Sequence, residues 1–219
     1  MKTIKGIWRF SRVICYTFVC LFQAYTRFKR VDRKEKGRML RYYPTQVLKL
    51  AGVRCSYEGN VPELLHECGL TDTPPAYMVL SNHISWLDIF SLDSQLPSRF
   101  IAKAEIAKWP VFGLIAQQIG TLFINRSRKR AILRINDDIR GALCNCEAVT
   151  IFAEGTTTFG NELLPIKANF IAPACEIGAT VQPVILSYKN KGKPTKRAAF
   201  AGDVTLFGSL WNVVTMEHA

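Results

Sequence analysis

Between residues 77 and 153, short apolar runs ending in polar residues alternate with stretches whose apolar positions recur every three or four residues. That alternation of strand and helix patterns restricts the chain to a sheet layered with helices. Tyr77-Met78-Val79-Leu80 reads as a buried strand that delivers Ser81-Asn82-His83 at its carboxyl end. Trp86 to Leu92 reads as the start of a helix, and Arg99 to Ala102 as the next strand. Between Ser127 and Glu147, Ile132, Ile135, Ile139, Leu143 and Cys146 fall on one helical face, leaving Arg128, Lys129, Arg134 and Arg140 to face water. Thr121 to Asn125 before that helix and Ala148 to Ala153 after it read as strands. Val53 to Gly59 alternates loosely and is expected as a first strand, followed by a polar connector bracketed by Pro62 and Pro74-Pro75. The expected fold class is α/β.

A length of 219 residues suits one domain with a short appendage. The charge balance, 29 Lys+Arg against 17 Asp+Glu for a formal +12, points to an anionic partner. Its placement favours a membrane surface. Lys2, Lys5, Arg9 and Arg12 precede the uncharged stretch Val13 to Thr26, and a second basic block from Arg27 to Arg41 follows it. The uncharged stretch falls short of the roughly 20 apolar residues that cross a bilayer. Residues 1–50 are therefore expected as two basic amphipathic helices, broken near Tyr42-Tyr43-Pro44, that lie in the membrane interface with Trp8 and Tyr16 or Tyr25 at headgroup level. Residues 51–219 are expected to form the catalytic domain. Phe22-Gln23-Ala24-Tyr25 offers no small-x-small cleavage site, which argues against a signal peptide. A nucleic-acid partner would call for basic residues interleaved with stacking aromatics and is not expected. Seven cysteines without a CxxC pair read as reduced packing residues of a cytosolic protein, and no metal site is expected.

Of three histidines, only His83 stands between an apolar strand and a helix start, with Asp88 five positions later. On one ideal helix the two would point about 140° apart, so they can meet only across a loop that turns into a helix. If they meet, Asp88 holds one ring nitrogen and the other is free to remove a hydroxyl proton. No GxSxG elbow surrounds a serine, so direct attack by a substrate hydroxyl is the simpler chemistry.

Asn82-His83 with Asp88 resembles the HxxxxD signature of the glycerolipid acyltransferase superfamily, which includes the 1-acylglycerol-3-phosphate acyltransferases. Further segments resemble that family's blocks in order. They are Lys103-Ala104-Glu105 with Trp109-Pro110-Val111-Phe112-Gly113, then Gly120 to Arg126, then Phe152-Ala153-Glu154-Gly155-Thr156 with Leu164-Pro165-Ile166-Lys167, and finally Val181-Gln182-Pro183-Val184. The resemblance covers roughly residues 50 to 208.

The resemblance implies a mixed sheet and transfer of a fatty acyl group from a thioester of acyl carrier protein or coenzyme A to a lysolipid hydroxyl, with no other cofactor. His83 would be the base and Asp88 its partner, while Lys103, Arg126, Glu154, Gly155 and Thr156 would bind substrate. Loop amides near Glu154-Gly155-Thr156 or after His83 would face the oxyanion. The implied location is the cytoplasmic face of a bacterial inner membrane. Where family members that bind glycerol phosphate commonly carry Pro and Arg, this chain has Ala153 and Thr157, which loses a planar phosphate fork. Lyso-ornithine lipid is accordingly an alternative acceptor to 1-acyl-sn-glycerol-3-phosphate, and a non-catalytic lipid-binding module is the alternative to an enzyme. Phe200-Ala201-Gly202-Asp203 resembles a late segment after which relatives usually continue past the position of Ala219, so a final strand is expected to be missing.

Overall fold

The computed structural model describes residues 2–59, 76–125 and 129–216. The connector from Pro62 to Pro74-Pro75 and the Arg126 position lie outside these residues.

Helix α1 (Lys2–Gln23) runs into a π-type turn over Ala24–Phe28, and α2 (Arg33–Ala51) begins at Asp32, whose side chain accepts the Glu35 N–H at 2.7 Å. The break between the helices is therefore a capped turn, and the expected break at Tyr42-Tyr43-Pro44 is corrected. Pro44 is buried within α2. The packing of Val47, Leu48 and Ala51 just beyond it outweighs the hydrogen bond that proline removes. These residues and Val13 of α1 share one core with Leu87 and with Leu210, Val213 and Val214 of the C-terminal helix, Leu206–Val214. On its outer side α1 exposes Ile4, Trp8, Phe18 and Phe22, and the turn after it exposes Tyr25, with the Arg12 guanidinium 4.1 Å over the Trp8 ring. No helix among the described residues is long and apolar enough to cross a membrane.

After α2 the chain runs irregularly over residues 53–58, which corrects the first strand expected at Val53 to Gly59. Its side chains are satisfied elsewhere: Val53 joins the helical core and the Tyr57 hydroxyl bonds Ser94 Oγ at 2.9 Å.

Strands β1 (Tyr77–Ser81), β2 (Arg99–Lys103), β3 (Leu122–Ile124), β4 (Val149–Phe152) and β5 (Thr180–Val184) pair in the order β3-β2-β4-β1-β5. Every pairing is parallel, so the α/β class stands while the expectation of a mixed sheet is corrected. The cause is the connections, since parallel neighbours need a crossover and each one here contains a helix. These are α3 (Leu87–Asp93), α4 (Phe112–Gln118), α5 (Lys129–Cys144) and α6 (Ala172–Glu176). Antiparallel pairing among the described residues is confined to the separate ribbon of β6 (Lys189–Asn190) and β7 (Lys193–Pro194), which precedes α7 (Leu206–Val214).

The two-residue period of the strands divides their side chains between two layers. Met78, Val149 and Ile151 pack on Ile135, Ile139 and Leu143 of α5. Tyr77, Val79 and Phe152 face Leu92, Leu96 and Phe100 on the other side. Each such side chain contributes about 1.5–3 kcal/mol on burial. The sheet is thereby a rigid platform whose carboxyl ends all lie along one edge.

Candidate active site

That edge gathers expected site residues from the ends of strands β2, β4 and β1, which are neighbours in the sheet. After β1 the chain loops through Asn82 to Ser85 and turns into α3 at Trp86. The turn brings His83 and Asp88 together, with His83 Nδ1 lying 2.7 Å from Asp88 Oδ2. Asp88 is fully buried, and the same Oδ2 accepts the backbone N–H groups of Ile84 at 2.7 Å and Ser85 at 2.9 Å. A carboxylate oxygen surrounded by donors requires Nδ1 to carry a proton, so Nε2 is the nitrogen left to act as a base. The imidazole stacks on Phe152 with ring centroids 3.9 Å apart and is 21% exposed, which fixes its plane while leaving it accessible.

Glu154, at the end of β4, is buried and acts on the backbone of the site. Its Oε1 accepts the His83 N–H at 2.8 Å and its Oε2 accepts the Leu164 N–H at 2.9 Å, tying the HxxxxD loop to the segment before Lys167. Thr158 N–H donates to the His83 carbonyl at 2.8 Å, and Phe200 N–H to the Ile84 carbonyl at 2.8 Å. Gly155 follows with φ +78°, a conformation that favours glycine, and its N–H donates to Phe152 O at 3.0 Å. Of the amides expected to face an oxyanion, those of Ile84, Ser85 and Gly155 are thus engaged within the protein. Thr156 is exposed beside them.

Lys103 ends β2 at the same edge and is exposed. Only β4 separates β2 from β1, so its backbone stands roughly 10 Å from the strand that carries His83. Arg126 lies outside the described residues. Thr157, at the position of the family's arginine, donates its hydroxyl to the Phe200 carbonyl.

Sequence reading missed Tyr188, whose hydroxyl donates to Asp88 Oδ1 at 2.5 Å. No sequence signal marks it, because it arrives from the stretch after β5, 100 positions away. Burial first, and Asp88 second, push the Tyr188 hydroxyl well above its usual pKa, so it remains a donor. Asn82 was visible only as part of the motif. In the fold it bonds both backbone groups of Leu186, at 3.0 and 2.7 Å, and so pins the loop to the segment after β5.

The fold and site define an α/β protein that presents a buried carboxylate and a half-open imidazole at the carboxyl ends of parallel strands, an arrangement suited to removing a hydroxyl proton. The chain belongs to the acyltransferase family, whose model, described as Acyltransferase, matches residues 55–187. It is 43% identical over 145 residues to a 1-acyl-sn-glycerol-3-phosphate acyltransferase of Neisseria gonorrhoeae, covering 66% of this chain and 56% of that one. It is 39% identical over 139 residues to a lyso-ornithine lipid O-acyltransferase of Pseudomonas aeruginosa, covering 64% of this chain and 54% of that one. The matched region thus spans little more than half the length of these curated relatives. The crystal structure of the 1-acyl-sn-glycerophosphate acyltransferase PlsC from Thermotoga maritima shares the fold, with a TM-score of 0.59 at 18% identity over 98% of this chain and 95% of that one.

Proposed function

We propose that this chain transfers a fatty acyl group from an acyl thioester, of acyl carrier protein or coenzyme A, to the hydroxyl of 1-acyl-sn-glycerol-3-phosphate, giving phosphatidic acid. The observation that carries the reading is the His83–Asp88 bond at the carboxyl edge of the sheet. His83 Nε2 takes the hydroxyl proton as the oxygen attacks the thioester carbonyl. The C–S bond then breaks, and the thiolate leaves with the proton from the imidazolium, so ester and thiol are the products. Asp88 stabilises the transient imidazolium. Lys103 and Arg126 supply charge for the acceptor phosphate, with Gly155 and Thr156 lining the acceptor loop.

A lipid substrate suits the surroundings of the site, since Phe159, Leu163, Ile166 and Ile185 are all exposed on segments that flank it. Docking is assigned to residues 1–50. The exposed apolar side of α1 and its basic flanks fit the headgroup layer of an anionic membrane, on the cytoplasmic side. A second reading, lyso-ornithine lipid as acceptor, is favoured by Thr157, which spends its hydroxyl on Phe200 O and offers no phosphate fork.

Purified protein in detergent, given palmitoyl-coenzyme A or palmitoyl-acyl carrier protein, is expected to convert lysophosphatidic acid to its diacyl product by mass spectrometry, and His83→Ala to abolish that product. Conversion of lyso-ornithine lipid instead would establish the second reading. Lipid binding without His83-dependent product from either acceptor would replace catalysis with a binding role.

A further inference from the structure

A cavity of about 330 Å³ opens at the opposite edge of the sheet, beside Tyr77 where β1 begins, Arg99 where β2 begins and Ala148 just before β4. Strands of five residues, rising about 3.3 Å each, separate it from the His83 edge by roughly 15 Å. Its wall contains four cations, Lys29, Arg33, Lys36 and Arg99. Glu147 is the one carboxylate among the described lining residues, and Arg99 holds it at 2.9 Å. Arg33 and Lys36 stand three apart on one face of α2, a like-charged spacing that helices disfavour without a counterion. The two nearby acids are engaged elsewhere, Glu35 with Arg27 and Arg38 and Asp32 with the Glu35 N–H. Arg33 donates to the Asn145 carbonyl at 2.6 Å and Lys36 lies 5.9 Å over the Phe28 ring, so neither cation forms an ion pair among the described residues.

Phe28, Leu40 and Ile119 give the same cavity apolar wall. Guanidinium and ammonium groups over apolar wall match a phosphate joined to carbon chains. Phe28 and Lys29, which line the cavity, close the turn that carries the exposed Tyr25 and follows the exposed Phe22 at the end of α1. We infer that this basal cavity binds the headgroup of an anionic, phosphate-bearing lipid, at a site separate from the catalytic edge. A bound headgroup would tie the α1–α2 turn to the sheet.

Calorimetric titration of the full chain with dihexanoyl phosphatidylglycerol, below its micelle concentration, tests this. Saturable binding is expected. It should weaken about ten-fold or more in Lys29→Gln/Lys36→Gln, recover in Lys29→Arg/Lys36→Arg, and remain unchanged in Lys193→Gln on the separate β6–β7 ribbon. Rescue by the arginine pair separates loss of charge from loss of fold. Absence of saturable binding, or unchanged affinity in the glutamine pair, would overturn the inference. Inorganic phosphate binding as tightly as the lipid would also overturn it, because the site would then read a free anion.

Discussion

The Tyr188 hydroxyl lies 2.5 Å from Asp88 Oδ1, while three donors converge on Asp88 Oδ2. A carboxylate with no exposure is thereby satisfied on both oxygens, which is the condition for keeping it buried next to His83.

Tyr188→Phe keeps the ring and deletes the donor. We expect a stability loss of about 1.5–3 kcal/mol in denaturant unfolding, together with an altered pH–rate profile, because Asp88 is left with an unpaired oxygen. An unchanged pH profile would reduce Tyr188 to packing.

His83→Ala should lower kcat by about 10²–10⁴-fold. Asp88→Asn presents an amide where Oδ2 now meets three donors, so it should lower kcat as well. Because the two act as one unit, the double variant should be scarcely slower than the worse single one. Multiplicative losses in steady-state kinetics would show that they act separately.

Glu154→Gln places an NH₂ group against either the His83 or the Leu164 N–H, both of which now donate to carboxylate oxygens. Thermal unfolding should report a loss of about 1–3 kcal/mol. A wild-type melting temperature would mean that the loop is held by its other bonds, such as Thr158 N–H to the His83 carbonyl.

Asp93, behind the site on α3, is buried, and that burial raises its pKa well above the usual 3.8, opposed only by the bond from Ser98 N–H. The folded state therefore holds a proton that the unfolded chain releases near pH 4. Stability is accordingly lost as pH rises from about 4 toward the raised folded value, and stays low above it. Asp93→Asn keeps an acceptor for Ser98 and removes the titration. Its unfolding midpoint should be flatter with pH above 4 and higher than wild type at neutral pH; equal pH dependence would show that Asp93 does not contribute this slope.

Strands β1 to β4 and helices α3 and α5 were legible because their side chains repeat with a period that the sheet layers then use directly. Pro44 and Val53 to Gly59 misled for the same reason in reverse. A proline signals a break only where packing does not override it, and a loose alternation signals a strand only where a neighbouring strand is free to pair. The parallel direction of every strand depends on helical crossovers and on strand order, neither of which a single strand's pattern carries.

In the site, the segments that carry His83, Asp88 and Glu154 were legible from the sequence alone, since each belongs to a recognisable local motif. Tertiary structure decided what they bond to. Glu154 turned out to hold backbone N–H groups, and Tyr188 entered from 100 positions away. The basal cations likewise met in one cavity. Local pattern specifies which elements form, whereas contacts between distant segments arise only when the shared core brings those elements together.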